Sequence, residues 1–177
     1  MPCKGGYRKS IEERKRQIRE ERERAITDPY RRLWLWLVEQ VHHSFAGFDG
    51  LSHPLKLYFA VGLLELEIYN GGFHQYFFSD SGSYYVYAEE GLIAVGAFQT
   101  LELLQKAKEV LFPDRSVPVK TGIRRRELPS YPPGNLPMPK WSKVLDDLNK
   151  RYWADAEGIT LRLESFARDH GLVSNAR

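Results

Sequence analysis

The fold turns on the stretch Glu67-Ile68-Tyr69-Asn70-Gly71-Gly72-Phe73-His74-Gln75-Tyr76-Phe77-Phe78, where a helical pattern stops at paired glycines and restarts at once with aromatic residues. Upstream, Leu57, Val61, Leu64 and Ile68 recur at helical spacing and form one apolar face that runs into the break. Asn and Gly enter the left-handed backbone region at low cost, so Asn70, Gly71 and Gly72 end one helix while the chain reverses direction. Beyond them Phe73, Tyr76 and Phe77 are expected to face inward together, with Glu67 and Gln75 held close to the corner. The stretch therefore predicts a helix, a sharp corner and a short aromatic helix.

Working towards the N-terminus, Ser52-His53-Pro54 opens the helix that delivers the corner. Asp28-Pro29 opens an earlier one, whose apolar face is Leu33, Leu37, Val41 and Phe45, widened by Trp34 and Val38, before a turn over Gly47 to Ser52. His42 and His43 are adjacent and diverge by about 100° on a helix, which suits a polar face better than a shared metal. Ser10-Ile11-Glu12-Glu13 has the form of a capping box, and the charge-dense run through Arg24 predicts a solvated helical arm over residues 1–26, outside a domain over 27–177. Ile11 and Ile18 are too thin a seam for a coiled coil.

Towards the C-terminus, Ser79 to Ser83 is a turn by composition and lacks the spacing of a phosphate loop. Tyr84 to Val110 reads as one long helix, and its almost wholly apolar Gly91 to Phe98 portion predicts the central element, with Gly91 and Gly96 as points of close helix approach. Phe112-Pro113 ends it. Residues 113–139 hold seven of the ten prolines, with Arg124-Arg125-Arg126 and Tyr131-Pro132-Pro133-Gly134, and predict a long loop. Ser142 is placed to cap a last helical region in which Leu145, Leu148, Tyr152, Ile159, Leu163 and Phe166 keep phase, with an interruption near Gly158 and a stop at Gly171. No strand-period alternation, hairpin signal or internal repeat is present, so the expected fold is all-α, a single compact helical domain.

At 177 residues with 42% hydrophobic content, the chain is long enough for one substantial core. No apolar run reaches the ~20 residues of a membrane span, and the charged N-terminus lacks the core of a signal peptide. With Cys3 as the single cysteine, a cytoplasmic protein without disulfides is expected. The net charge of +3 is unevenly spread: residues 1–32 hold 11 Lys/Arg against 6 Asp/Glu, residues 33–112 hold 3 against 9, and residues 113–142 hold 6 against 2. An acidic centre is thus flanked by a basic arm and a basic loop.

Catalytic chemistry finds little support in these residues. Glu67, His74 and Asp80 are the nearest candidates for a metal, but a break and a turn separate them and no second His reinforces them. There is no Gly-x-Ser-x-Gly elbow or core cysteine, and Glu89-Glu90 diverge as neighbours on a helix. No catalytic residue, metal or cofactor is expected, leaving an unrecognised enzyme around Glu67, His74 and Gln75 as a third alternative.

Leu66 to Phe77, then Ser81-Gly82 and the apolar helix with Gly96-Ala97, resemble the bacterial DNA-mimic-protein C-terminal domain family over roughly residues 30–170. The resemblance implies an all-helical, often dimeric protein without catalytic residues. The best-known family member binds a transcription regulator by presenting acidic groups that imitate DNA phosphates. Carried onto this chain, it implies a protein partner, a DNA-binding protein for preference, met through Glu65, Glu67, Glu89 and Glu90, with Glu102 and Glu109 as further acids. The corner of Glu67, Asn70, Gly71, Gly72, Phe73, Gln75, Tyr76 and Phe77 would then be a structural device. The alternative is direct contact with nucleic acid or an acidic partner through the basic arm and Arg124, Arg125 and Arg126.

Overall fold

The computed structural model describes residues 13, 14, 16, 17, 19, 20, 23, 27–133, 137–154 and 157–173. Most of the expected capping box, Ile11, Ile18, Cys3 and Gly134 lie outside them. Seven α-helices run from residue 29 onward: α1 (Pro29–His43), α2 (His53–Phe78), α3 (Tyr85–Ala94), α4 (Phe98–Leu111), α5 (Thr121–Glu127), α6 (Lys140–Trp153) and α7 (Ile159–Asp169). Short 3-10 turns occupy Gly47–Gly50 and Asp80–Tyr84, and no strand occurs among the described residues.

By packing, the chain divides into Leu51–His170 and a smaller unit, Met1–Gly50 with Gly171–Arg177; the expected boundary after residue 26 falls inside the latter. In the smaller unit the described residues of the arm are helical, and Arg16 meets Glu20 at 3.7 Å. Asp28 caps α1 by accepting from the Tyr30 and Arg31 amides, and Leu33 and Leu37 are buried. The helix stops two residues before Phe45: the Ser44 hydroxyl donates to the Gln40 carbonyl at 2.6 Å on an extended backbone. Phe45 is therefore fully exposed outside the helix, where the periodicity predicts a place on its apolar face. His42 and His43 are exposed, as a polar face requires.

In the larger unit α2 packs against every other helix, so it is the central element, and not the Tyr84–Val110 segment. Its sequence supports this, since eleven residues from Leu57 to Phe77 are buried on several sides. An element apolar all round is one that others surround. The expected long helix is two. At its break the Ala97 amide donates to the Leu92 carbonyl and the Gly96 amide to the Ile93 carbonyl, with Gly96 at φ 72°. This is a Schellman stop, which needs the left-handed residue that glycine supplies. Gly91 keeps its expected role, since a Cβ there would lie 2.5 Å from Val61 of α2. The remaining core follows the predicted phase: Leu145, Leu148 and Tyr152 of α6, and Ile159, Leu163 and Phe166 of α7, are buried. Ser142 lies inside α6 and donates back to the Pro139 carbonyl instead of capping.

Candidate partner-binding site

The corner is where the expectation and the structure agree most closely. Helix α2 is interrupted at Gly71 and Gly72, and Gly72 has φ 76° and ψ −173°, a backbone closed to side-chain-bearing residues. Breaking a helix leaves carbonyls of the first segment and amides of the second without partners. Helix α6 supplies both from one face: Asn149 Oδ1 accepts the Phe73 amide at 2.9 Å, and Trp153 Nε1 donates to the Ile68 carbonyl at 3.2 Å. A Cβ on Gly72 would lie 2.4–2.7 Å from the Asn149 side chain, so the glycine also makes room for its own cap. Phe73, Tyr76 and Phe77 are wholly buried. Burial pushes the Tyr76 phenol well above its ordinary pKa, and its hydroxyl has no hydrogen-bond partner among the described residues.

Glu67 and Gln75 lie close to the corner, and the structure adds that they brace it. Glu67 accepts from Gln75 Nε2 on one oxygen at 3.1 Å and from the Ser81 hydroxyl on the other at 3.0 Å, which ties together the two segments of α2 and the following turn. Asn70 itself stays exposed.

The arginine run requires a correction. Residues 121–127 form helix α5 inside the expected loop, and Arg124 is fully buried. Its guanidinium donates to the carbonyls of Phe77, Ser79, Pro118 and Val119 and to the hydroxyls of Ser83 and Thr121, at 2.5–3.2 Å. Desolvation lowers its pKa. Arg124 thus clamps the end of α2 to the segment before α5 and is closed to any partner. Arg125 donates Nε to the Phe78 carbonyl and stacks 4.7 Å over the Phe78 ring, while Arg126 is exposed.

The four acids singled out from the sequence reach six different neighbours. Glu65 accepts from Thr160 of α7, Glu67 from Gln75 and Ser81, Glu89 from Tyr85 and from Gln105 of α4, and Glu90 lies 2.7 Å from His53 at the start of α2. Each of the four is thus engaged by a side chain of the protein itself. Glu89 does share a groove with two other acids: Glu89, Glu109 and Asp114, with Lys108 and Arg115 among them, line an open groove of about 630 Å³ between α3, α4 and the loop after α4. The Asp114 amide and then Lys108 hold the Glu109 carboxyl below its ordinary pKa. Arg115, in the same groove, is 3.5 Å from Glu127. Asp114, with a φ of 55°, escaped the sequence reading because nothing in its neighbourhood distinguishes it from an ordinary loop acid.

Asn149 was also missed, although a signal existed. It sits within the Leu145, Leu148 and Tyr152 face of α6, and a polar residue on an apolar face asks for a buried partner. A second such device is Glu157, whose carboxylate accepts the Gln99 and Thr100 amides and the Thr100 hydroxyl, so it caps α4 from a distant loop. Burial opposes the charge on Glu157, yet the Thr100 and Gln99 donors and nearby Arg162 outweigh it and lower its pKa.

Among the described residues no group of three His, Cys, Asp or Glu side chains could hold a metal, and no helix is long and apolar enough to cross a membrane. No curated protein and no solved structure matches the chain. The model of the DMP19-like protein family, a DNA-mimic-protein family, matches residues 49–170. That span is most of the chain and contains the corner, the buried arginine and the acidic groove, and the chain belongs to the DMP19-like protein family.

Proposed function

We propose that this chain is a non-catalytic protein-binding module that occupies a DNA-binding protein through acidic groups on α3, α4 and the loop after α4. The observation that carries this reading is the groove of Glu89, Glu109 and Asp114, within a family named for a DNA mimic. The Asp114 carboxylate and the second oxygen of Glu89 have no partner among the described residues, so they remain free to accept from lysine or arginine side chains. Carboxylates spaced along a groove attract cationic surfaces at long range, and salt screens that attraction. The non-catalytic part rests on the corner, where Glu67 and Gln75 bond each other and His74 bonds the Pro129 carbonyl. The reading includes a cytoplasmic homodimer, which sedimentation equilibrium checks.

The test is affinity capture at low salt from a bacterial extract, followed by elution with duplex DNA and measurement of the purified pair. A complex that weakens steeply with salt, is displaced by DNA and loses at least about tenfold in affinity on combining Glu89→Gln, Glu109→Gln and Asp114→Asn is the expected result. Captured proteins indifferent to both salt and DNA would remove the mimicry reading.

A further inference from the structure

On a separate surface, rings from three segments form one column. The Arg125 guanidinium lies 4.7 Å over Phe78; Phe78 is stacked with His74 at 6.2 Å and 18°; and His74 is stacked with Trp141 at 5.6 Å and 20°. Tyr131 leans against both His74 and Trp141 at 4.8 Å. His74 Nε2 donates to the Pro129 carbonyl at 3.1 Å, which fixes the ring in this orientation. The column is not closed off by protein: Phe78 is 42% and Tyr131 44% exposed. Cations accompany it. The terminal amino groups of Arg125 have no partner among the described residues, and Arg126 and Lys140 are exposed.

An exposed aromatic ring beside cations is what single-stranded nucleic acid uses. Every base has a face to stack, and the phosphates between bases need a positive track. A duplex keeps its bases paired and offers this column only its backbone. We propose that this surface, with Tyr131 offering its ring and Arg125 its guanidinium beside the Phe78–His74–Trp141 column, binds single-stranded nucleic acid by base stacking and phosphate contact. Asp146 is the acid whose charge reaches Tyr131, and it works against binding.

The probe is a fluorescein-labelled 20-nucleotide oligo-dT, titrated with the full chain at about 50 mM salt and read by anisotropy, beside a duplex of the same length. The single strand should bind more tightly than the duplex. Tyr131→Ala should weaken it about tenfold or more, since stacking on one aromatic ring is that large. Arg125→Ala should weaken it and reduce the salt slope by about one phosphate contact, and Arg125→Lys should restore the slope without restoring the full affinity. Asp146→Asn should tighten binding. Circular dichroism melts of each variant confirm that the fold is kept. Equal binding of wild type and Tyr131→Ala, or a duplex bound as well as the single strand, would assign any binding to charge alone and overturn the proposal. No anisotropy change up to about 100 μM chain would overturn it as well, since even non-specific binding falls within that range.

Discussion

The Gly71-Gly72 corner and the α3–α4 groove both place carboxylates among polar neighbours, but they use them in opposite ways. At the corner both oxygens of Glu67 accept from Gln75 and Ser81, Asn149 caps Phe73, and Arg124 spends its donors on four carbonyls and two hydroxyls. In the groove the Asp114 carboxylate and half of Glu89 are left unengaged. A buried polar group must be matched internally or it costs stability, whereas an exposed one is satisfied by water until a partner replaces it. The most motif-like stretch of the chain is therefore architecture, and the surface suited to recognition carries no motif.

Substitutions should separate these two regions by size of effect. Arg124→Met is expected to cost the most, about 3–5 kcal/mol or outright loss of folding, because four carbonyls lose their shared buried donor together. Arg124→Lys should recover only part of this, since an ammonium cannot reproduce the planar fork; urea denaturation measures both. Gly72→Ala should cost about 2–4 kcal/mol, from the strained backbone and the clash with Asn149. Asn149→Ala should cost about 1–2 kcal/mol as a lost cap, and the pair should fall short of additive because they share one contact. If Gly72→Ala were as stable as the wild type, the corner would not be the constraint described.

Glu157 offers a pH test of intermediate size. Its folded pKa lies below the ordinary 4.5, so its contribution is present above that value and is lost as the pH falls through the folded pKa. Glu157→Gln should cost about 1 kcal/mol near neutrality, as a weakened cap, and the difference from wild type should shrink in denaturation measured below about pH 4.5. The smallest stability effect belongs to the groove. Asp114→Asn should leave the urea midpoint unchanged while weakening a cationic partner, and a large loss of stability there would erase the contrast with the corner.

Much of this was legible in the sequence. The all-α class, the break at Gly71 and Gly72 and the inward Phe73, Tyr76 and Phe77 follow from periodicity and from which residues tolerate a positive φ. The divided Tyr84–Val110 segment was not legible, because a Schellman stop occupies few residues and leaves apolar residues on either side of it. Helix α5 was hidden for another reason. Seven residues carry too little intrinsic helicity to announce a helix, and three consecutive arginines look alike until packing buries one of them. The groove depends on a loop returning Asp114 to Glu89, and no local pattern encodes that return.

The corner also constrains the order in which the chain can finish itself. Arg124 follows the Phe77 carbonyl it serves by 47 residues, and Asn149 follows the Phe73 amide by 76. During synthesis, the Leu57–Ile68 face and the aromatic segment leave the ribosome well before either partner exists. Until then water must hold the groups that Asn149 and Arg124 later cover, and Phe73, Tyr76 and Phe77 cannot be sealed in. A growing chain arrested before α6 would thus display this aromatic cluster to chaperones, and its release from them would report the arrival of one asparagine.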